Sequence, residues 1–386
     1  MCNDDIIIYR YLPHGSRKIA DCTPLNKFES NFESSLKLRM VCHDQESLNQ
    51  NEFKSYSIMR PIPDCAWPVL SRITQQSLGA HDQILLLHSE KNSKDLEWFE
   101  QNGSVGVYWW SHAVIARDWF RYAKVDPCLH QRPHMQKDFL IYNRAWSGLR
   151  EYRLKFTELI VNCNLQDHCL MTFNPTDNGK NWQHHEFSNN NFAPGRSDLD
   201  QHFQPTTAGS TASADYNSDD YNSTWIEVVL ETVFDDTKWH LTEKTLRPIA
   251  CGKPFILAAT PGSLEYLRSY GFKTFSDVWD ESYDTTQDPV SRLQNIVKLM
   301  ESLKAMSTSE KQTMQQQVQL ICDHNRKRFF SADFFGQVVD EYKTNLHKAM
   351  THVSQHGSTN YFARLVQSRN LVNEEFMQQA IDWLKH

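Results

Sequence analysis

Residues 225–284 alternate two strand-length apolar runs with two helix starts, and this alternation leaves few folds open to the chain. The first run, residues 226–230 (IEVVL), reads as a buried strand followed by a polar, partly charged loop. Thr242-Glu243-Lys244 then marks a helix start, and residues 254–258 form a second buried strand. Thr260-Pro261-Gly262 opens another helix, which Gly271 closes. Buried strands alternating with helices, with charge at each hand-over, are the pattern of an open α/β nucleotide-binding domain. Ligands in such sheets lie beyond the carboxyl ends of the strands, where residues 242–244 fall. A phosphate-bearing substrate is therefore the first expectation.

The same alternation occurs twice. In the first half, residues 6–12 and 84–87 read as strands, the latter ending in His88-Ser89-Glu90. A short helix over 94–101 with Gly103 behind it leads to a strand over 105–109. Ser111 then caps a helix through Tyr122, with Val114, Ile115, Trp119 and Tyr122 on its apolar face. Pro61, Pro63 and Pro68 mark turns, and the pattern restarts at Asp138. Residues 139–142 are a strand, 143–148 a polar turn, and Leu149, Tyr152, Phe156, Leu159 and Ile160 the apolar face of a helix. Another strand spans 169–173. At 386 residues, two domains are expected, 1–135 and 136–345, with a helical segment over 346–386. The polar residues 174–223 read as an irregular insertion of the second domain whose histidines are solvated. From Asp288-Pro289 a helix carries Val290, Leu293, Ile296, Val297, Met300 and Leu303 on one face, and the remainder reads as short amphipathic helices.

Composition excludes several classes. A formal net charge of −7 builds in no long-range attraction to nucleic acid or anionic membrane. The 9 cysteines form no CxxC and no zinc-ligand spacing, and Cys163, Cys169 and Cys251 read as small core residues. With no secretion signal and no apolar stretch near the ~20 residues of a membrane helix, a cytoplasmic protein is expected. Neither G-x-G-x-x-G nor GxxxxGK[ST] occurs, so nicotinamide and P-loop readings lose their signature, and metal-dependent sugar transfer is set aside with them for want of a D-x-D metal site.

Three constellations remain. At Thr242-Glu243-Lys244, Thr242 is a good N-cap and Glu243 suits the helix dipole. Lys244, Lys238 and Arg247 crowd the same helix start, whose free N–H groups bind phosphate. In Tyr142-Asn143-Arg144-Ala145-Trp146-Ser147-Gly148-Leu149-Arg150, Arg144 and Arg150 both suit an anion above the strand ends, while Arg153 reads as a surface partner of Glu151 or Glu158. In the first half Glu90, His112 and Asp118 qualify by type as a general base, with none singled out.

At these residues the chain resembles two-domain GT-B type glycosyltransferases, and its donor-binding half is similar to the α1,3-fucosyltransferase family. Trp239-His240-Leu241-Thr242-Glu243-Lys244 stands where that family carries an aromatic residue followed by Thr-Glu-Lys. The resemblance implies two facing Rossmann-like domains. It gives Glu243 the sugar hydroxyls of a nucleotide-sugar, and Lys244 and Arg144 its phosphates. Transfer to a saccharide hydroxyl, with inversion and without a metal or other cofactor, is the implied activity. Two alternatives stay open: sugar transfer to modified nucleic-acid bases, and a non-catalytic nucleotide- or glycan-binding module of the same fold.

Overall fold

The computed structural model describes residues 6–10, 38–41, 83–94, 97, 105–130, 135–206 and 213–356. The proline turns at 61–68, most of the helix expected over 94–101 and the end of the chain beyond 356 lie outside the described residues.

The chain divides into two compact units. One holds the described residues up to Ser111 and from Val338 onward; the other is His112–Gln337. In the first unit, strands β1 (Ile6–Arg10), β2 (Leu38–Val41), β3 (Gln83–His88) and β4 (Val105–Tyr108) form a parallel sheet of order β2-β1-β3-β4. In the second, helix α1 (Ser111–Trp119) leads to β5 (Lys137–Ile141), α2 (Tyr152–Asn162) and β6 (Cys169–Met171). A two-stranded antiparallel pair follows, β7 (Thr176–Asp177) with β8 (Lys180–Asn181), then α3 (Ser218–Ser223) and β9 (Thr224–Leu230). Next come α4 (Glu243–Cys251), β10 (Phe255–Ala258), α5 (Ser263–Ser269), α6 (Pro289–Ala305), α7 (Thr308–Phe329) and α8 (Ala332–His356). The second sheet, β10-β9-β5-β6, is also parallel throughout. The protein is thus α/β, and its two four-stranded sheets share one connectivity.

In each sheet the second strand goes to one side of the first and the third to the other. The crevice beyond the carboxyl ends of the first and third strands is the topological switch point, where open α/β sheets bind ligands. In the second unit it lies between the exits of β5 and β9. Both strands are buried, all seven residues of β9 included. A strand buried on both faces reads as a near-continuous apolar run, so this sheet was legible.

The division between units falls at Ser111/His112 rather than near 130–138, and electrostatics explain it. Arg117 on α1 donates to the carbonyls of Phe329 (2.9 Å), Phe330 (3.1 Å) and Ser331 (2.6 Å), the unpaired acceptors at the end of α7. Arg326 of α7 reaches back to the carbonyls of Ala123 and Lys124. α1 stops at Trp119, leaving Tyr122 on a 3-10 turn and exposed rather than on the apolar face. At the far end, Asn345 donates to the Tyr108 carbonyl and Tyr342 packs on Trp109, which places the later part of α8 in the first unit. The end of the chain is also less fragmented than expected: α7 and α8 run for 22 and 25 residues. No helix among the described residues is long and apolar enough to cross a membrane.

The insertion is tied down by carboxylates. Glu151 accepts from His185 Nε2 (2.8 Å) and the Ser188 and Asn189 amides, and Glu158 from the Gly195 and Arg196 amides. His185 is therefore a buried partner rather than a solvated loop residue. These bonds also occupy the carboxylates that Arg153 was expected to meet.

Beneath α4, Glu227 of β9 pairs with Arg247 at 2.6 Å, Tyr221 donates to Glu227, and the guanidinium lies 4.2 Å over the Tyr142 ring. Both charges are buried. Removing one partner strands the other in a medium of low polarity, whereas removing both does not. Arg247→Met should lower the unfolding free energy by about 3–5 kcal/mol, and Glu227→Met/Arg247→Met should recover most of that, as read by urea denaturation.

Candidate functional site at the switch point of the second sheet

Two loops leave the sheet at this point, residues 142–150 after β5 and 231–242 after β9. Arg153, on the first turn of α2, joins them: Nη1 donates to the Ala145 carbonyl (2.8 Å) and Nη2 to those of Leu230 (2.6 Å) and Glu231 (3.2 Å). Tyr152 adds a bond from its hydroxyl to the Glu231 carbonyl at 2.5 Å. Arg153 is thus a buried clamp and not a surface ion-pair partner.

The 142–150 loop is held from below by Asp177 of β7. One oxygen of this carboxylate accepts from the Trp146 amide (3.0 Å), the Ser147 amide (2.8 Å) and Ser147 Oγ (2.7 Å). Burial opposes its charge, but these bonds outweigh burial and keep its carboxyl below the usual range. Gly148, at φ 67°, lets the loop turn into the 3-10 turn that carries Arg150. Asn174 donates to the Arg144 carbonyl at 3.0 Å, so the inserted segment fixes both ends of the loop.

Two guanidinium groups on this loop lack a hydrogen-bond partner among the described residues. Arg144 is exposed. Arg150 is half-buried, and its guanidinium is pushed down to about 10, first by burial, then by Arg153 and Arg144, with Asp177 as the countercharge. A cation short of solvent and beside two others is stabilised by an added anion. Asn143, buried at the end of β5, donates to Thr157 Oγ1 at 3.2 Å and leaves its Oδ1 unbonded.

The start of α4 differs from expectation. Thr242 is its N-cap, accepting from the Lys244 amide at 3.3 Å. The Thr242 and Thr245 amides go to Glu231, which is fully buried where β9 ends. Its Oε1 accepts from the Thr242 amide (2.9 Å), the Thr245 amide (3.2 Å) and Thr245 Oγ1 (2.6 Å), and its Oε2 from Thr242 Oγ1 (2.7 Å). The positive end of the helix thus holds the protein's own carboxylate, and a phosphate cannot use those amides. Nor do the extra cations gather there, since Arg247 is spent on Glu227 and Lys238 sits 3.7 Å from Asp236.

Lys244 folds back on its own turn, donating to Glu243 Oε1 (2.7 Å) and Thr242 Oγ1 (3.2 Å), which leaves one of its three N–H groups for a ligand. The second oxygen of Glu243 lies 3.6 Å from Nδ1 of His112 on α1, and the His112 ring meets His240 edge-on at 4.9 Å. His112 therefore belongs to the second unit with Glu243. Glu90, in the first unit, is buried at the end of β3 and accepts from Ser93 Oγ at 3.0 Å. Asp118 is exposed and paired with Arg121 at 3.0 Å, outside either constellation.

Glu231, Asp177 and His240 were not singled out from sequence, and Arg153 reads there as a surface partner. Glu231 had one signal, a carboxylate closing a buried strand 11 residues before a Thr N-cap. The tripeptide Asp198-Leu199-Asp200 has D-x-D form, but Asp198 is held by Arg196 Nε (2.8 Å) and Nη2 (2.6 Å). Among the described residues no three His, Cys, Asp or Glu side chains gather as metal ligands. Comparison with family models, with curated proteins and with solved structures finds no match.

Burial opposes the charge of Glu243, but Lys244 and His112 overcome it and hold its carboxyl well below the usual range. A carboxyl depressed on folding contributes stability above its unfolded value, about 4.3, and loses it as pH falls toward the folded value. The stability advantage of the wild type over Glu243→Gln should therefore shrink as pH falls below about 4.5, measured by urea unfolding at each pH.

Proposed function

We propose that the chain is a glycosyltransferase whose second unit holds the diphosphate of a nucleotide-sugar over the 142–150 loop. The observation that carries this reading is the pair Arg144 and Arg150, two guanidinium groups without hydrogen-bond partners at the switch point of a parallel sheet. Guanidinium groups match diphosphate oxygens two at a time. The third N–H of Lys244 adds a further donor at the start of α4.

In this reading the two units are the Rossmann-like halves of a GT-B enzyme in the cytoplasm. The first offers contacts to a saccharide or glycoconjugate acceptor and the second binds the donor. Catalysis then rests on charge: negative charge grows on the departing diphosphate, and fixed cations stabilise it most in the transition state. Metal independence is part of the proposal, the arginines taking the place of a divalent ion. The net charge of −7 weighs against a nucleic-acid acceptor.

A thermal-shift screen against UDP-, GDP-, ADP- and CMP-sugars tests the reading, since a ligand bound only by the folded state raises the melting temperature. One nucleotide class should do so. Arg144→Ala and Arg150→Ala should each weaken its calorimetric affinity about tenfold or more, equivalent to ~1.4 kcal/mol. Arg121→Ala, which removes an exposed pair, should leave it unchanged. No shift with any member of the panel, or undiminished affinity in both loop variants, contradicts the assignment.

A further inference from the structure

The fold treats the three candidate proton acceptors differently. Asp118 is in solvent beside Arg121. Glu90 accepts from Ser93 through its Oε2. His112 is 8% exposed, and its Nδ1 is buried without a hydrogen bond to the described residues. A buried imidazole nitrogen without a hydrogen bond costs stability, and such groups persist where chemistry uses them.

The surroundings of His112 say what that use is. Nδ1 faces Glu243 Oε2 at 3.6 Å, a Coulombic contact a few tenths of an ångström longer than a hydrogen bond. His240 closes another side, edge-on. The other Glu243 oxygen is taken by Lys244. Both oxygens of Glu243 therefore face protein cations or an imidazole, which argues against a primary role in holding sugar hydroxyls. A carboxylate at Nδ1 selects the Nδ1–H form, leaving the Nε2 lone pair outward, and stabilises the imidazolium that forms once Nε2 takes a proton. Contacts of this kind are often long before substrate binds and close to about 2.7–2.9 Å when the imidazole is charged.

We propose that His112 accepts the proton of the attacking hydroxyl and that Glu243 is the residue that positions it. The proposal rests on the transferase reading above. The acceptor O–H bond breaks and its proton goes to Nε2, while the oxygen bonds to the anomeric carbon. The bond from that carbon to the phosphate oxygen breaks, and its electron pair leaves with the nucleoside diphosphate toward Arg144 and Arg150.

Two measurements on the full chain test it. In protein labelled with 15N-histidine, the His112 signals are those lost in His112→Gln. In the wild type they should show the Nδ1–H tautomer of the neutral ring, and in Glu243→Ala they should move to Nε2–H, the form favoured in free histidine. The second measurement follows nucleoside diphosphate release from UDP-glucose, UDP-galactose, UDP-N-acetylglucosamine, GDP-mannose and GDP-fucose, with water as the acceptor. For whichever donor binds, His112→Gln should lower kcat at least 100-fold, the scale of general-base catalysis, with donor Kd within threefold. Imidazole in solution should partly restore His112→Ala, and Glu243→Ala should cost little more in a His112→Gln background. An Nε2–H tautomer in the wild type, or unchanged kcat in His112→Gln with donor still bound, overturns the proposal and leaves the transferase reading standing. If none of the five donors and no ADP- or CMP-sugar binds the wild type, the transferase reading falls and takes the proposal with it.

Discussion

The side chain of Glu231 ties the end of β9 to the start of α4, and the arrangement of the switch point depends on it. It sits at the carboxyl end of β9 with no exposure and takes the donors that open α4. A carboxylate so placed satisfies orphan amides and the helix dipole together. Because that position is filled, the anion site proposed above lies one strand over, on the 142–150 loop. Its backbone carbonyl does a second job, accepting from Tyr152 and Arg153, so one residue fixes the start of α4 and the relation between the two loops.

The arginines of the second unit fall into two groups by the same logic. Arg117, Arg153, Arg247 and Arg292 are each committed to carbonyls or a carboxylate, and their role is to pin chain segments together. Buried charge is tolerated only when it is met in this way. Arg144 and Arg150 are not met, and the loop that carries them is among the most heavily braced in the unit. A rigid loop presenting unmatched cations is preorganised for an anion, since little ordering remains to be done on binding. Asp177 supplies the bracing and is also the nearest countercharge to Arg150, so it sets both the geometry and the charge of the loop.

Much of the sheet was legible from sequence because buried parallel strands announce themselves as apolar runs bounded by turn residues: 139–142, 226–230 and 254–258 all became strands at nearly those positions. Helix starts were legible where capping chemistry is local, as at Thr242, Asp288 and Gly262. At Gly262 a φ of 82° and the Trp239 indole 3.2 Å from where a Cβ would stand admit only glycine. Tertiary partners were not legible. Arg247 and Lys244 lie on the same helix, yet one turns to Glu227, 20 positions away, and the other folds back onto Glu243 and Thr242 of its own turn. The order of the insertion was hidden for the same reason, since Glu151 and Glu158 look like ordinary helix-surface charges until the chain returns 34 to 38 residues later.

The central claim is that the anion site is the 142–150 loop and that the first turn of α4 is already occupied by Glu231. Amide hydrogen exchange with and without a saturating nucleoside diphosphate separates the two places directly. The amides of Arg144 to Arg150 should gain protection on binding, while those of Thr242, Lys244 and Thr245 should be slow in the free protein and change little. Protection gained at residues 242–245, with none at 144–150, would place the phosphate on the helix start and contradict the account.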